Sequence, residues 1–199
     1  MGVSQNNLKF ELAKKYLFGR FENELAPNLF YHGIHHTRDD VLPAAIKLAN
    51  LEGVKGNDLL RLKTGALYHD SGYMYLYPRN EIVGVLLAWY SLPIFGFFND
   101  DLNSIEEIIM ATEIKLFGGK KIQMPDSNNI LQKIMCDADL DYLGRDDFLE
   151  ISENYRLELM EYGERYTLKK WKDNNLLFLK NHRYFTESAR DLREINKEK

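Results

Sequence analysis

The feature that most constrains this chain is the spacing of its apolar residues, which follows a helical period along nearly the whole length and shows no strand-like alternation of useful length. Leu8, Leu12, Tyr16 and Leu17 stand at i, i+4, i+8 and i+9, predicting an apolar stripe on an N-terminal helix that Pro27 ends. Val41, Leu42, Ala45, Ile46 and Ala49 predict a second helix, opened by Thr37 as N-cap with Asp40 three residues on. Pro43 either sits in its first turns or kinks it. Gly53 and Gly56 break the pattern, and Asp58 caps the next helix, LLRLKTGALYHD, which ends near Gly72. Further helices are predicted over about 81–91, 104–112, 129–143 and 147–162, and from about 164 to the end. FGGKKIQMPDSNN reads as a loop. The expectation is an all-α, single-domain helical bundle over 1–199. Its motif core covers about 31–145, its C-terminal helices 146–190, and the charge-dense 191–199 is a fraying tail.

With 199 residues, 45% of them hydrophobic, the chain can build one sizeable core. Lys plus Arg number 26 against 30 Asp plus Glu, a net charge of -4 with no strongly basic stripe, so no nucleic acid polymer is expected as a partner. The single cysteine, Cys136, excludes an intrachain disulfide and points to a reducing cytoplasm. MGVSQNNLKFELAKK lacks the apolar core of a signal peptide. Its likeness to a myristoylation start at Gly2 is broken by Asn6, where Ser or Thr belongs. The uncharged stretch Ile82–Phe98 approaches the length of a membrane span, but Pro93 and Gly96 interrupt it. It reads as a buried helix running into a turn, and no membrane partner is expected.

Three places carry chemistry. YHGIHHT holds His32, His35 and His36; ALYHDSGY holds His69 and Asp70; CDADLDYLG sets Asp137, Asp139 and Asp141 at alternate positions. Singly, each has a plain reading as structural histidine, chance dipeptide or solvated acidic face. The aspartates, however, follow ILQKIM and precede Leu140 and Leu143. A carboxylate in such surroundings is partly buried and needs a cation or a donor. A metal ion shared with the histidines meets that need at Asp139.

In order and spacing, His-Thr, then His-Asp at the end of an apolar helix, then Ala-Asp-Leu resemble the HD superfamily of metal-dependent phosphohydrolases. YHGIHHT resembles the YHNxxHT form of its first motif. NEIVGVLLAWYSLP, IIMAT and DADLDYLG resemble later motifs of the small stand-alone HD proteins. The resemblance runs from about Tyr31 to Gly144, and ENYRLELMEY extends it. It implies His36, His69, Asp70 and Asp139 as metal ligands, with His32 near the pocket. His35 has no counterpart in the family, and Gly33 replaces its asparagine. Two imidazoles and two carboxylates suit Mn, Fe, Co, Ni or Zn, with Mg admitted. No histidine lies between His69 and His182, and Ser71-Gly72-Tyr73 stands where the cyclic-dinucleotide branch carries a lysine. The resemblance therefore implies one divalent ion, and neither oxygenase nor cyclic-dinucleotide chemistry.

The implied activity is hydrolysis of a phosphate ester of a nucleotide or other small phosphorylated metabolite by metal-activated water. Asp70 or Glu81 takes the water's proton. Arg38, Lys63 and Arg156 are candidates to meet the phosphate, each equally readable as a solvated charge. Tyr68, Tyr73 and Tyr75 read either as core or as a wall for a nucleobase. The alternative is a regulatory or ligand-sensing module that keeps the metal site without turnover. A homodimer is compatible with both.

Overall fold

Two stripes with helical spacing compete on the first helix, and the one holding the larger rings is buried. In the computed structural model, which describes residues 5–198, α1 (Gln5–Glu24) buries Phe10, Ala13, Leu17 and Phe21. Leu8 and Leu12 instead face solvent, 54% and 46% exposed. Gly2 lies outside the described residues.

A π-helical turn, His36–Val41, leads into α2 (Leu42–Leu51). Thr37 is buried inside that turn and no side chain caps its start, so the expected N-cap is absent. Pro43 has no N–H, and its ring collides with the carbonyl four residues earlier in an α-helix. The wider turn accommodates it: Leu42 N–H donates to Thr37 O, five residues back. α3 (Gly56–Tyr68) starts before Asp58, which lies in the first turn and favours the helix dipole without capping.

A short 3-10 turn, Ser71–Met74, precedes α4 (Asn80–Ser91). α4 passes into another such turn, Leu92–Phe95, and stops at Gly96. Among the described residues no helix is long and apolar enough to cross a membrane. α5 (Asp100–Met110) follows.

The expected loop after α5 holds a small hairpin, β1 (Lys115–Phe117) antiparallel to β2 (Lys120–Ile122). Phe117 pairs with Lys120, so Gly118 and Gly119 alone make the turn, with φ of 57° and 79°. Two positive φ angles are what a tight hairpin turn of this hand requires. Asn129 then caps α6 (Ile130–Asp139), accepting from the N–H groups of Leu131 and Gln132.

After a 3-10 turn at Asp141–Gly144 come α7 (Phe148–Glu161), α8 (Leu168–Asn181) and α9 (Glu187–Lys197). The single run expected from 164 onward is thus broken, and Thr186 caps α9 by accepting from Ala189 N–H. Nor does the charged tail stand free. Arg193 donates to both Asp141 oxygens at 2.7 and 2.8 Å, and Lys197 Nζ donates to His182 O at 3.0 Å. Its charges have partners on the body, which a reading of charge density alone misses.

α3 runs through the middle, packed on α1, α2 and α5, while α6 lies against α2 and α5. Leu62, Leu67, Ile105, Ile108, Ile134 and Met135 are fully buried between them. The result is an all-α, single-domain bundle whose one small hairpin sits beside the site described next.

Candidate metal centre

Adjacent residues on a continuous helix point about 100° apart. His69 keeps helical backbone angles, but Asp70, at φ -101° and ψ 8°, leaves the helix. That turn brings Asp70 Oδ2 to 3.1 Å from His69 Nε2. Gly72 makes the turn possible: a Cβ there would stand 2.0 Å from the Asn80 carbonyl oxygen. The His-Asp turn therefore lies directly on the start of α4, where Asn80 Nδ2 donates to Asp70 Oδ1 at 3.2 Å.

The π-turn and the end of α6 complete the cluster. His36 Nε2 lies 3.2 Å from Asp139 Oδ1 and 3.6 Å from Asp70 Oδ2. His69 Nε2 is 3.4 Å from Asp139 Oδ1. One ligand atom from each of His36, His69 and Asp139 falls within 4.8 Å of the other two. All four residues singled out as ligands in the sequence are brought together.

Neighbouring groups orient them as second partners orient metal ligands. His69 Nδ1–H donates to Ala66 O at 2.9 Å, which leaves Nε2 as the nitrogen with a free lone pair. Gln123 Nε2 donates to Asp139 Oδ2 at 2.7 Å and to Thr112 O at 2.9 Å. The Tyr31 ring lies 4.5 Å from that of His36. Each carboxylate thus has one oxygen tied to an amide and the other directed at the imidazoles.

Two of the inward atoms, His69 Nε2 and Asp70 Oδ2, are buried without a hydrogen-bond partner. An unsatisfied buried polar atom costs about 1–3 kcal/mol, and a cation shared by both removes that penalty. The residues present therefore fit a metal ion.

The electrostatics lean the same way. Burial lowers the pKa of His69, but the Asp70 and Asp139 carboxylates carry it well above its ordinary value. Burial raises the Asp139 carboxyl, and the bond from His36 with the nearby His69 imidazole more than reverses that, holding it well below the usual range. Two carboxylates at one point call for positive charge, whether protons on the imidazoles or a cation.

Asp137 and Asp141 serve a different end of the fold. Asp137 accepts from Phe185 N–H, Thr186 N–H and the Thr186 hydroxyl, and Asp141 holds Arg193; both tie down α9. His32 lies beside the cluster in a buried network around Glu158, a residue the sequence reading did not single out. Glu158 accepts from the N–H groups of Tyr31 and His32 at 2.8 and 2.9 Å, from Tyr77 OH at 2.9 Å, and from His32 Nδ1. Tyr73 stacks on His32 with ring centres 4.2 Å apart. His35 is exposed on the outer side of the π-turn.

A cavity of about 610 Å³ opens over the cluster, with Asp70 and Asp139 in its floor and His32 and Tyr73 in its wall. Glu81 also lines it; burial, reinforced by the Asp70 charge, raises its carboxyl above the ordinary value. The far wall is aromatic, with Tyr155, Tyr166, Trp171 and Phe178.

The three expected phosphate partners do not line this cavity. Arg38 is exposed and paired with Asp39, Lys63 lies over the Phe10 ring toward α1, and Arg156 is held by Glu153. Arg79, Lys120 and Lys121 occupy the rim instead. Arg79 has a positive φ of 63° and precedes α4 directly. Of the three tyrosines, Tyr68 is core, Tyr75 is exposed beside Arg20, and Tyr73 alone walls the cavity.

Asn80 and Glu158 stand in the NEIVG and ENYRLELMEY stretches already noted, so a signal for them existed. Gln123 offered none, because it precedes a proline loop with no pattern around it. Comparison of the chain with protein-family models, curated proteins and solved structures returned no match.

Proposed function

We propose that this chain is a metal-dependent phosphohydrolase of the HD type, acting on a small phosphate ester such as a nucleotide or another phosphorylated metabolite. One observation carries the reading: the partnerless His69 Nε2 and Asp70 Oδ2 meet His36 and Asp139 at the floor of a cavity whose rim is cationic. His36, His69, Asp70 and Asp139 would hold one divalent ion, of Mn, Fe, Co, Ni, Zn or Mg. When bound, such an ion supplies Lewis acidity toward a phosphoryl oxygen and toward water.

The chain's own residues supply the rest. Arg79, Lys120 and Lys121 neutralise the incoming phosphate at the rim. Glu81, half-buried and of raised pKa, accepts the proton of the attacking water. Asn80 and Gln123 keep the two carboxylates from rotating away. His32, held at Nδ1 by Glu158 and 3.1 Å at Nε2 from the Tyr73 hydroxyl, fixes the Tyr73 ring in the cavity wall.

The test is turnover of a broad panel of phosphate monoesters and diesters by protein loaded with Mn, Co or Ni. Activity should appear on part of the panel, and Glu81→Gln should lower kcat about 100-fold or more with bound metal unchanged. Metal-loaded protein that turns over nothing would replace this reading with that of a ligand-sensing module on the same site.

A further inference from the structure

A surface of exposed apolar and cationic side chains surrounds the mouth of the same cavity. The hairpin and α8 touch there, and Leu116, Lys120 and Lys121 from one and Leu177 from the other line the opening. Trp171 is the one buried residue of α8. On its outer side Leu168, Lys172, Leu176 and Lys180 form an i, i+4 stripe, and Leu168, Leu176 and Leu177 are all more than half exposed. The hairpin adds Leu116 and Phe117, 75% and 62% exposed, next to its Gly-Gly turn. Single exposed apolar residues are ordinary, but five on two touching elements make a patch that calls for a partner.

The charge around that patch is one-sided. The hairpin and α8 carry seven lysines against one aspartate, in a chain whose net charge is -4. Lys115 pairs with Glu113 at 3.3 Å, while the other six have no ion-pair partner among the described residues.

We propose that the hairpin and α8 form a docking surface for an anionic phospholipid bilayer. Leu116, Phe117 and the α8 leucines enter the acyl boundary, and the lysines meet the phosphate headgroups. A nucleic acid would engage the lysines and leave the leucines and Phe117 in water. A second copy packed face to face would set lysine against lysine. A bilayer surface satisfies both components of the patch, and the cavity then opens toward the headgroup layer. The whole-chain charge conceals this surface, because acidic residues elsewhere outweigh it.

Flotation of the full chain with phosphatidylcholine vesicles containing about 30% phosphatidylserine, against phosphatidylcholine alone, tests the proposal at about 0.1 M salt. The anionic vesicles should carry the protein up and the neutral ones should not, with or without chelator. Lys120→Gln and Lys172→Gln should each weaken binding about fivefold. Phe117→Ser combined with Leu176→Ser should weaken it about tenfold or more, with the circular dichroism spectrum unchanged. Three results overturn the proposal. The first is no flotation with anionic vesicles. The second is binding that the lysine variants lower and the serine pair leaves intact, which describes a general polyanion site. The third is a dimer in light scattering that the serine pair dissolves without any vesicle binding.

Discussion

Glu158→Ala removes the acceptor around which the first motif is folded. Glu158 is fully buried, and four donors lose their partner: Tyr31 N–H, His32 N–H, the Tyr77 hydroxyl and the His32 ring. His32 lines the cavity and Tyr77 is half-buried, so solvent can take over part of their bonding, but Tyr31 is buried. Breaking one side of a buried ion pair costs about 3–5 kcal/mol, and each orphaned donor about 1–3. With water rescuing part, the expected loss is about 4 kcal/mol. That is roughly a thousandfold in the folding equilibrium, or about 8–16 °C in Tm for a chain of this size. Glu158→Gln keeps one acceptor oxygen for the two backbone groups and should lose about half as much.

Urea titration followed by circular dichroism, on metal-free protein, reads these values, and pH gives a second handle. Burial raises the Glu158 carboxyl, but His32 takes it below its ordinary 4.5. Its stabilising part is present above that value and is lost as pH falls through the lowered one. Burial lowers the His32 imidazole, but Glu158 and Asp70 take it above its ordinary 6.5. Its part is present below 6.5 and is lost as pH rises through the raised value. The Glu158→Ala penalty should therefore be largest between 4.5 and 6.5 and shrink on either side. A loss below about 1 kcal/mol, or an equal loss for Gln and Ala, would refute the reasoning.

Other perturbations have equally specific outcomes. Gly72→Ala forces a Cβ against the Asn80 carbonyl, so it should cost about 1–3 kcal/mol and lower the bound metal measured by elemental analysis. Asp137→Ala leaves the donors at the start of α9 without their acceptor and should cost about 2–3 kcal/mol in urea titration with metal content unchanged, because Asp137 binds Phe185 and Thr186 rather than the cluster. In steady-state kinetics on any substrate found, Arg79→Ala should raise KM about tenfold or more, whereas Lys63→Met should leave KM within about twofold.

The residues of the cluster are legible in the sequence through the resemblance, whose motifs are short and local: His36 before Thr37, His69 beside Asp70, Asp139 after Ala138. The helices are legible because their period is local, although neither expected cap, Thr37 or Asp58, caps a helix. What pairs across the chain is not. Glu158 meets Tyr31 and His32 more than 120 positions away, and the ENYRLELMEY stretch marks its segment without recording those partners. Leu8 and Leu12 form as regular a stripe as Phe10 and Ala13, and only packing against α3 decides between them. The tail's charges suggested fraying until Asp141 supplied a partner. The hairpin carried a signal in Gly118-Gly119, but three-residue strands exposed on both faces leave no alternation to find. Arg38 and Lys63 stand close to the motifs in sequence, while the cations at the cavity come from a loop and a hairpin.

One cation held by two imidazoles and two carboxylates is what the proposed chemistry requires, and anomalous diffraction from crystals of zinc-loaded protein examines that directly. That chemistry predicts one strong peak per chain, within about 2.0–2.2 Å of His36 Nε2, His69 Nε2, Asp70 Oδ2 and Asp139 Oδ1. No peak there, or a peak held by other side chains while these four remain paired with one another, would contradict it.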